Sequence, residues 1–193
     1  MGKTFLVGIA GGSASGKSYF CEKLEGALGT LSVTAIHMDA YFKPKEERPY
    51  TEAFVTGKKY IDDNHPLTVY SDRLKRDLKG MIGGYEVIII EGLLTLWDKE
   101  LYDMLDLRLF VECRPDERIV RRIRRNMQQG LTFDQITDVY LDMVRYRHDE
   151  YVEPSKWRAD VLLNGSNPSE TSLMMIAEFI YNHHEERFIH KKL

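Results

Sequence analysis

The chain has 193 residues, 43% of them hydrophobic, which allows a sizeable core in a single domain spanning 1–193. Its 27 basic and 30 acidic residues leave a net charge of −3, which argues against a generally basic nucleic-acid binder. No stretch approaches membrane-spanning length, no basic leader with a cleavage site precedes the first apolar run, and Cys21 and Cys113 have neither CxxC nor metal-ligand spacing. The expectation is a soluble cytoplasmic protein with buried free thiols and no nucleic-acid or membrane partner; a homo-oligomer stays open.

The first predicted strand, Thr4–Ala10, runs into Gly11-x-x-x-x-Gly16-Lys17-Ser18, and an amphipathic helix is predicted from Lys17 to about Leu28. Strand, Gly-rich turn and helix in that order form the context in which this pattern cradles phosphates. Gly11, Gly12, Ser13, Ala14, Ser15 and Gly16 present backbone N–H groups and a helix N-terminus to an anion, Lys17 reaches the β and γ phosphates, and Ser18 ligates Mg²⁺. ATP and Mg²⁺ are the expected cofactors.

The second strand, Val33–Met38, is followed by Asp39, whose expected role is general base or hydroxyl-orienting group, with a helix cap or an outer-shell Mg²⁺ ligand as the alternatives. Lys43 to Pro66 carries several prolines, many charges and no periodicity, and reads as a surface excursion over the acceptor site. A helix is predicted at about Thr68–Met81. The continuous apolar strand Glu86–Ile90 closes on Glu91, placed to contact the metal through water or, alternatively, to accept from neighbouring backbone donors.

After a strand at Leu107–Val111, a helix over about Asp116–Gln129, with Asp116 as its cap, gathers Arg118, Arg121, Arg122 and Arg125 on one arc and turns Arg124 elsewhere. Clustered guanidinium groups fit a mobile lid over the transferring phosphate, residues 114–131; pairing with Asp116 and Glu117 on a solvated face is the alternative for some of them. Thr132 caps a helix reaching Tyr151, then come a strand at Asp160–Leu163, a helix at Glu170–His184, and a polar tail read as a solvated helix end. The strand–helix alternation predicts an α/β protein: a three-layer α/β/α P-loop NTPase fold with a mainly parallel five-stranded sheet and a helical lid.

GIAGGSASGKS, HMDAYF, DDNHP, VIIIEGLL, the arginine helix and EPSKWRADVLLNG follow one another as in the uridine kinase and phosphoribulokinase family, which the chain resembles over nearly its whole length. The closing Pro154, Lys156, Ala159, Asp160, Val161 pattern is more specific than the P-loop alone. The resemblance implies transfer of the ATP γ-phosphoryl group to a hydroxyl of a small nucleoside-like metabolite. By it Lys17, Asp39, Arg122 and Arg125 are catalytic, and Tyr41, Asn64 and His65 join Asp39 at the acceptor. Two departures stand out. Asn64 replaces the aspartate that holds ribose hydroxyls in uridine kinases, and the interval from Thr68 to Tyr85 leaves no room for their base-binding hairpin. Gln129-Gly130-Leu131 stands where those lids carry Arg-Gly-Arg, and the shortened form is closer in size to nicotinamide riboside kinases. A nucleotide-dependent switch is the rival from another class; the chain has no NKxD motif.

Overall fold

Every strand of the central sheet lies parallel to its neighbour, and each crossover is made through helical structure. The computed structural model describes residues 4–53 and 55–184. The strands β1 (Phe5–Gly11), β2 (Val33–His37), β5 (Val87–Glu91), β6 (Leu107–Glu112) and β7 (Val161–Asn164) stand in the order β2-β5-β1-β6-β7. β1 is paired on both sides, with β5 and with β6, so its C-terminal turn emerges at the middle of the sheet.

The apolar strands are buried on both faces, as a sheet covered by helices requires. On one face Phe5, Val7, Ile9, Val87 and Ile89 pack on Phe20 and Leu24 of α1 (Lys17–Ala27) and on Ile176 and Ile180 of the helix Glu170–His183. On the other, Leu6, Ala10, Ile88 and Ile90 meet Leu74 and Leu78 of α2 (Ser71–Met81) and Leu101 of α3 (Lys99–Met104). Period-2 alternation in β1 thus feeds two cores, and the three-layer α/β/α arrangement follows. Cys21 and Cys113 are buried and free. No described helix is long and apolar enough to cross a membrane.

Several local features depart from the pattern in the sequence. α2 begins at Ser71, three residues after Thr68, because Val69 bridges to Phe42 and Pro66–Thr68 forms a separate 3₁₀ turn. α4 (Pro115–Gln128) opens on Pro115 with Arg114 at the cap position, so Asp116 lies inside the first turn and does not cap it; there its charge suits the helix dipole. Thr132 does cap α5 (Phe133–Val139), in a reciprocal capping box with Gln135. Beyond α5 the helical path continues through π-helical segments at Tyr140–Val144 and His148–Val152. The excursion contains an unforeseen antiparallel hairpin, β3 (Tyr50–Glu52) with β4 (Lys59–Ile61), and α3, capped by Asp98, was not visible in the periodicity either. The tail after His184 lies outside the described residues.

Candidate active site

The turn from β1 into α1 is shaped by residues that tolerate left-handed backbone. Gly11 has φ 147°, Gly16 has φ 106°, and Ala14 holds φ 62°. Space is equally restrictive: a Cβ on Gly11 would stand 2.5 Å from the Val111 carbonyl oxygen, and one on Gly12 would stand 2.3 Å from Arg118 Nη1. Gly165, after β7, presses on the loop from outside, where a Cβ would fall 2.2 Å from the Ser15 carbonyl oxygen. Gly16 offers no side chain to cap α1, so the first-turn N–H groups of the helix stay open to an anion. Ser15 Oγ is buried without a hydrogen-bond partner. The donors, the glycine cradle and this free hydroxyl fit a polyphosphate.

Lys17 Nζ donates to the Gly12 carbonyl oxygen at 3.1 Å. Burial lowers its pKa, against the opposing pull of Glu91 and Asp39. Ser18 Oγ donates to Glu91 Oε1 at 3.3 Å, and His37 Nδ1 lies 2.9 Å from the same oxygen. Asp39 sits in the short 3₁₀ turn Met38–Tyr41 at the end of β2. Although that residue opens to the cavity, the protein packed around its carboxyl raises the pKa, as does Glu91, while Lys17 pulls it down. A hydroxyl from Ser18 and a carboxylate from Glu91 stand side by side at the phosphate cradle, oxygen donors of the kind that could hold a hard cation such as Mg²⁺.

The arginine arc divides in two. Arg122 Nη1 donates to Ser13 Oγ at 2.8 Å and Arg125 Nη2 to the same oxygen at 3.3 Å, so both guanidinium groups already rest on the P-loop. Burial and the neighbouring Arg125 lower the pKa of Arg122, and its Nε is buried without a partner. Arg118 turns back instead, its Nε donating to the Cys113 carbonyl and its Nη1 lying 3.3 Å from His148 Nδ1. Arg121 donates to the Gly165 carbonyl at 2.9 Å and pairs with Glu117 at 3.2 Å. Two arginines therefore rest on the P-loop and two hold the loops that frame it.

A cavity of about 680 Å³ brings Ser13, Lys17, Ser18, Asp39, Glu91, Arg122 and Arg125 to one chamber. Asn64 and Asp63 line its far side, and Asp63 also pairs with Arg48 at 2.7 Å. Tyr41 lies outside: its hydroxyl donates to Asp77 on α2, and Phe42 lines the chamber in its place. His65 is outside too, accepting from the Leu67 N–H with its ring edge-on to Tyr151. Asp62, beside the expected ribose site, is fully buried and accepts from Arg147 Nε and Thr51 Oγ1, both at 2.6 Å. The sequence reading missed the hairpin wall, Tyr50, Lys59, Tyr60 and Ile61, because strands of three residues leave no periodic signal. A second space of about 1100 Å³ opens on the other side of Gly12, between Arg118 and the turn Asn164–Asn167. Asp160 of the closing signature does not line either chamber; it accepts from the Arg108 N–H at 2.8 Å and locks β7 to β6.

Comparison with known proteins agrees with this geometry. Residues 52–172 match the model of the Phosphoribulokinase / Uridine kinase family. A uridine kinase of Geobacillus kaustophilus is 31% identical over 201 residues, covering 90% of this chain and 92% of that protein. One of Bacillus velezensis is 32% identical over 203 residues, covering 91% and 94%. Among solved structures, a putative fructose transport system kinase from Silicibacter sp. TM1040 shares the fold at TM-score 0.63 and 18% identity, covering 79% of this chain and 85% of that one. A possible uridine kinase from Bacillus stearothermophilus does so at 0.57 and 19%, covering 84% and 89%. With a P-loop, two carboxylates and two arginines around one chamber, and these relatives, the chain belongs to the phosphoribulokinase/uridine kinase family, ATP-dependent phosphotransferases with an alcohol group as acceptor.

Proposed function

We propose that the protein, acting in the cytoplasm, transfers the γ-phosphoryl group of MgATP to a hydroxyl of a nucleoside-like metabolite, with Asp39 as the base. The observation that carries this reading is the shared chamber, in which Asp39 lies close enough to Lys17 and Glu91 for each to shift its titration. The P-loop N–H groups and Lys17 hold the β and γ phosphates, and the nucleoside end of ATP extends into the space beside Arg118. Mg²⁺, held by Ser18 and through water by Glu91, supplies neutralisation of the phosphate charge.

Asp39 accepts the proton of the acceptor hydroxyl as that oxygen bonds to the γ phosphorus and the bond to the β–γ bridging oxygen breaks. Its raised pKa makes it a better proton acceptor than an ordinary aspartate. Arg122 and Arg125 leave Ser13 for the oxygens of the transferring group, and no covalent intermediate on the protein is needed. At the acceptor, Asn64 and Asp63 bind hydroxyls. α2 fills most of the interval from Thr68 to Tyr85, so the ring of the acceptor meets Phe42, Tyr50 and Tyr60, the hairpin β3–β4 serving as its wall.

The test is ADP release from ATP in the presence of uridine, nicotinamide riboside, pantothenate or sugar alcohols, for wild type and Asp39→Asn. A stimulated rate that Asp39→Asn lowers by about 10²-fold or more, with nucleotide binding kept, is expected. Hydrolysis indifferent to every alcohol, or a variant as fast as wild type, would overturn the reading.

A further inference from the structure

We infer that His37 is a positioning residue for the metal end of the site: it fixes Glu91, and through Glu91 it orients the Ser18 hydroxyl. The inference rests on the kinase reading above. His37 closes β2 and Glu91 closes β5, and the two are register partners across this parallel pair, so ring and carboxylate stand side by side. His37 Nδ1 lies 2.9 Å from Glu91 Oε1, and Ser18 Oγ donates to that same oxygen at 3.3 Å. The Glu91 side chain is 8% exposed and that of His37 is 54% exposed, so the imidazole reaches in from the rim to hold a buried acid.

Facing a carboxylate, Nδ1 carries the proton and donates. The Ser18 proton is likewise committed to Oε1, which leaves the lone pairs of Ser18 Oγ turned away from Glu91. A hydroxyl can ligate a cation only through those lone pairs, so its usefulness depends on where its proton goes. Its proton goes to Oε1 only while that oxygen stays put. Ser18 alone cannot secure this, because its own orientation is what must be set. His37 supplies the second, independent restraint, and it does so from β2, the same strand end that delivers Asp39 two residues later. Among the described residues no donor reaches Glu91 Oε2, so that oxygen is left for a metal-bound water. Partners of this outer kind often govern metal affinity nearly as strongly as the ligands themselves.

The test measures binding rather than turnover: free Mn²⁺ is titrated by its electron paramagnetic resonance signal against protein saturated with a non-hydrolysable ATP analogue, for wild type, His37→Ala and His37→Asn. His37→Ala is expected to weaken Mn²⁺ binding about 10-fold, and His37→Asn, which returns an N–H donor near Nδ1, to recover most of it. Binding of the analogue in EDTA is expected to stay unchanged in both. Equal Mn²⁺ affinity in His37→Ala and wild type would overturn the inference, as would a parallel loss of analogue binding in EDTA or an asparagine variant as weak as alanine. A wild type that binds the analogue but no Mn²⁺ would instead bring down the kinase reading on which it rests.

Discussion

Gly92 and Met38 touch so closely that a Cβ on the glycine would lie 2.4 Å from Met38 Cβ. The contact joins the residue after Glu91 to the residue before Asp39, so it sets the gap between the two carboxylates. Gly92→Ala forces the turn Met38–Tyr41 outward, and overpacking of this sort costs about 1–3 kcal/mol. We expect a lower Tm together with a fall in kcat of about 10²-fold at little change in ATP affinity, since misplacing a reacting group by about 1 Å is that costly. Steady-state kinetics beside nucleotide titration check it; a variant with wild-type kcat would show that the gap is not critical.

His148 is held between Arg118 and Glu153, and burial, then the Arg118 charge, lower its pKa from 6.5 to about 4. The unfolded chain therefore binds a proton that the folded protein refuses between those values, and stability falls as pH drops through this window. The loss approaches about 1.4 kcal/mol per pH unit and levels off below the folded value. Urea unfolding at pH 7 and pH 5 is expected to show a steeper acid loss for wild type than for His148→Gln, which cannot take up the proton. Equal slopes would place the acid sensitivity elsewhere.

Arg147 and the fully buried Asp62 form the clasp that joins the end of the hairpin β3–β4 to the helical path beyond α5. Thr51 Oγ1 completes it, donating to Asp62 and accepting from Arg147 Nη2. Asp142 adds two further ties across the same junction, accepting from Thr56 at 2.7 Å and from Tyr60 at 2.8 Å. Arg147→Met leaves Asp62 as an unpaired buried charge, at a cost of about 3–5 kcal/mol. Chemical denaturation should register that loss, and Arg147→Met with Asp62→Asn should recover part of it, since the charge is then gone. The hairpin carries Tyr50 and Tyr60, so the single variant should also raise the acceptor KM more than the ATP KM. A change confined to the ATP KM would argue against the hairpin as acceptor wall.

Much of the site could be read from local sequence because it follows strand ends. Gly11 to Ser18, Asp39 and Glu91 each come directly after an apolar run of a parallel sheet, and such a sheet delivers its strand ends to one edge. The other walls of the chamber could not be read in that way. Tyr41 and Phe42 are neighbours, and only the bridge from Phe42 to Val69 decides which ring faces the chamber and which turns to Asp77. Likewise, helical spacing groups four arginines, but their division depends on carbonyls at Cys113 and Gly165 that are remote in the chain from Ser13.

Sequence by itself determined the phosphate cradle, the α/β alternation and the acids that close two strands, because these depend on backbone conformation and periodicity within a few residues. Tertiary structure alone decided the shape of the chamber beside the P-loop. It is built where a hairpin of three-residue strands, a buried ion pair and a π-helical stretch meet, and contacts between Asp62 and Arg147, far apart in the chain, carry no periodic or propensity signal. The charge of Asp62 is tolerated inside the protein only because the fold brings it a partner.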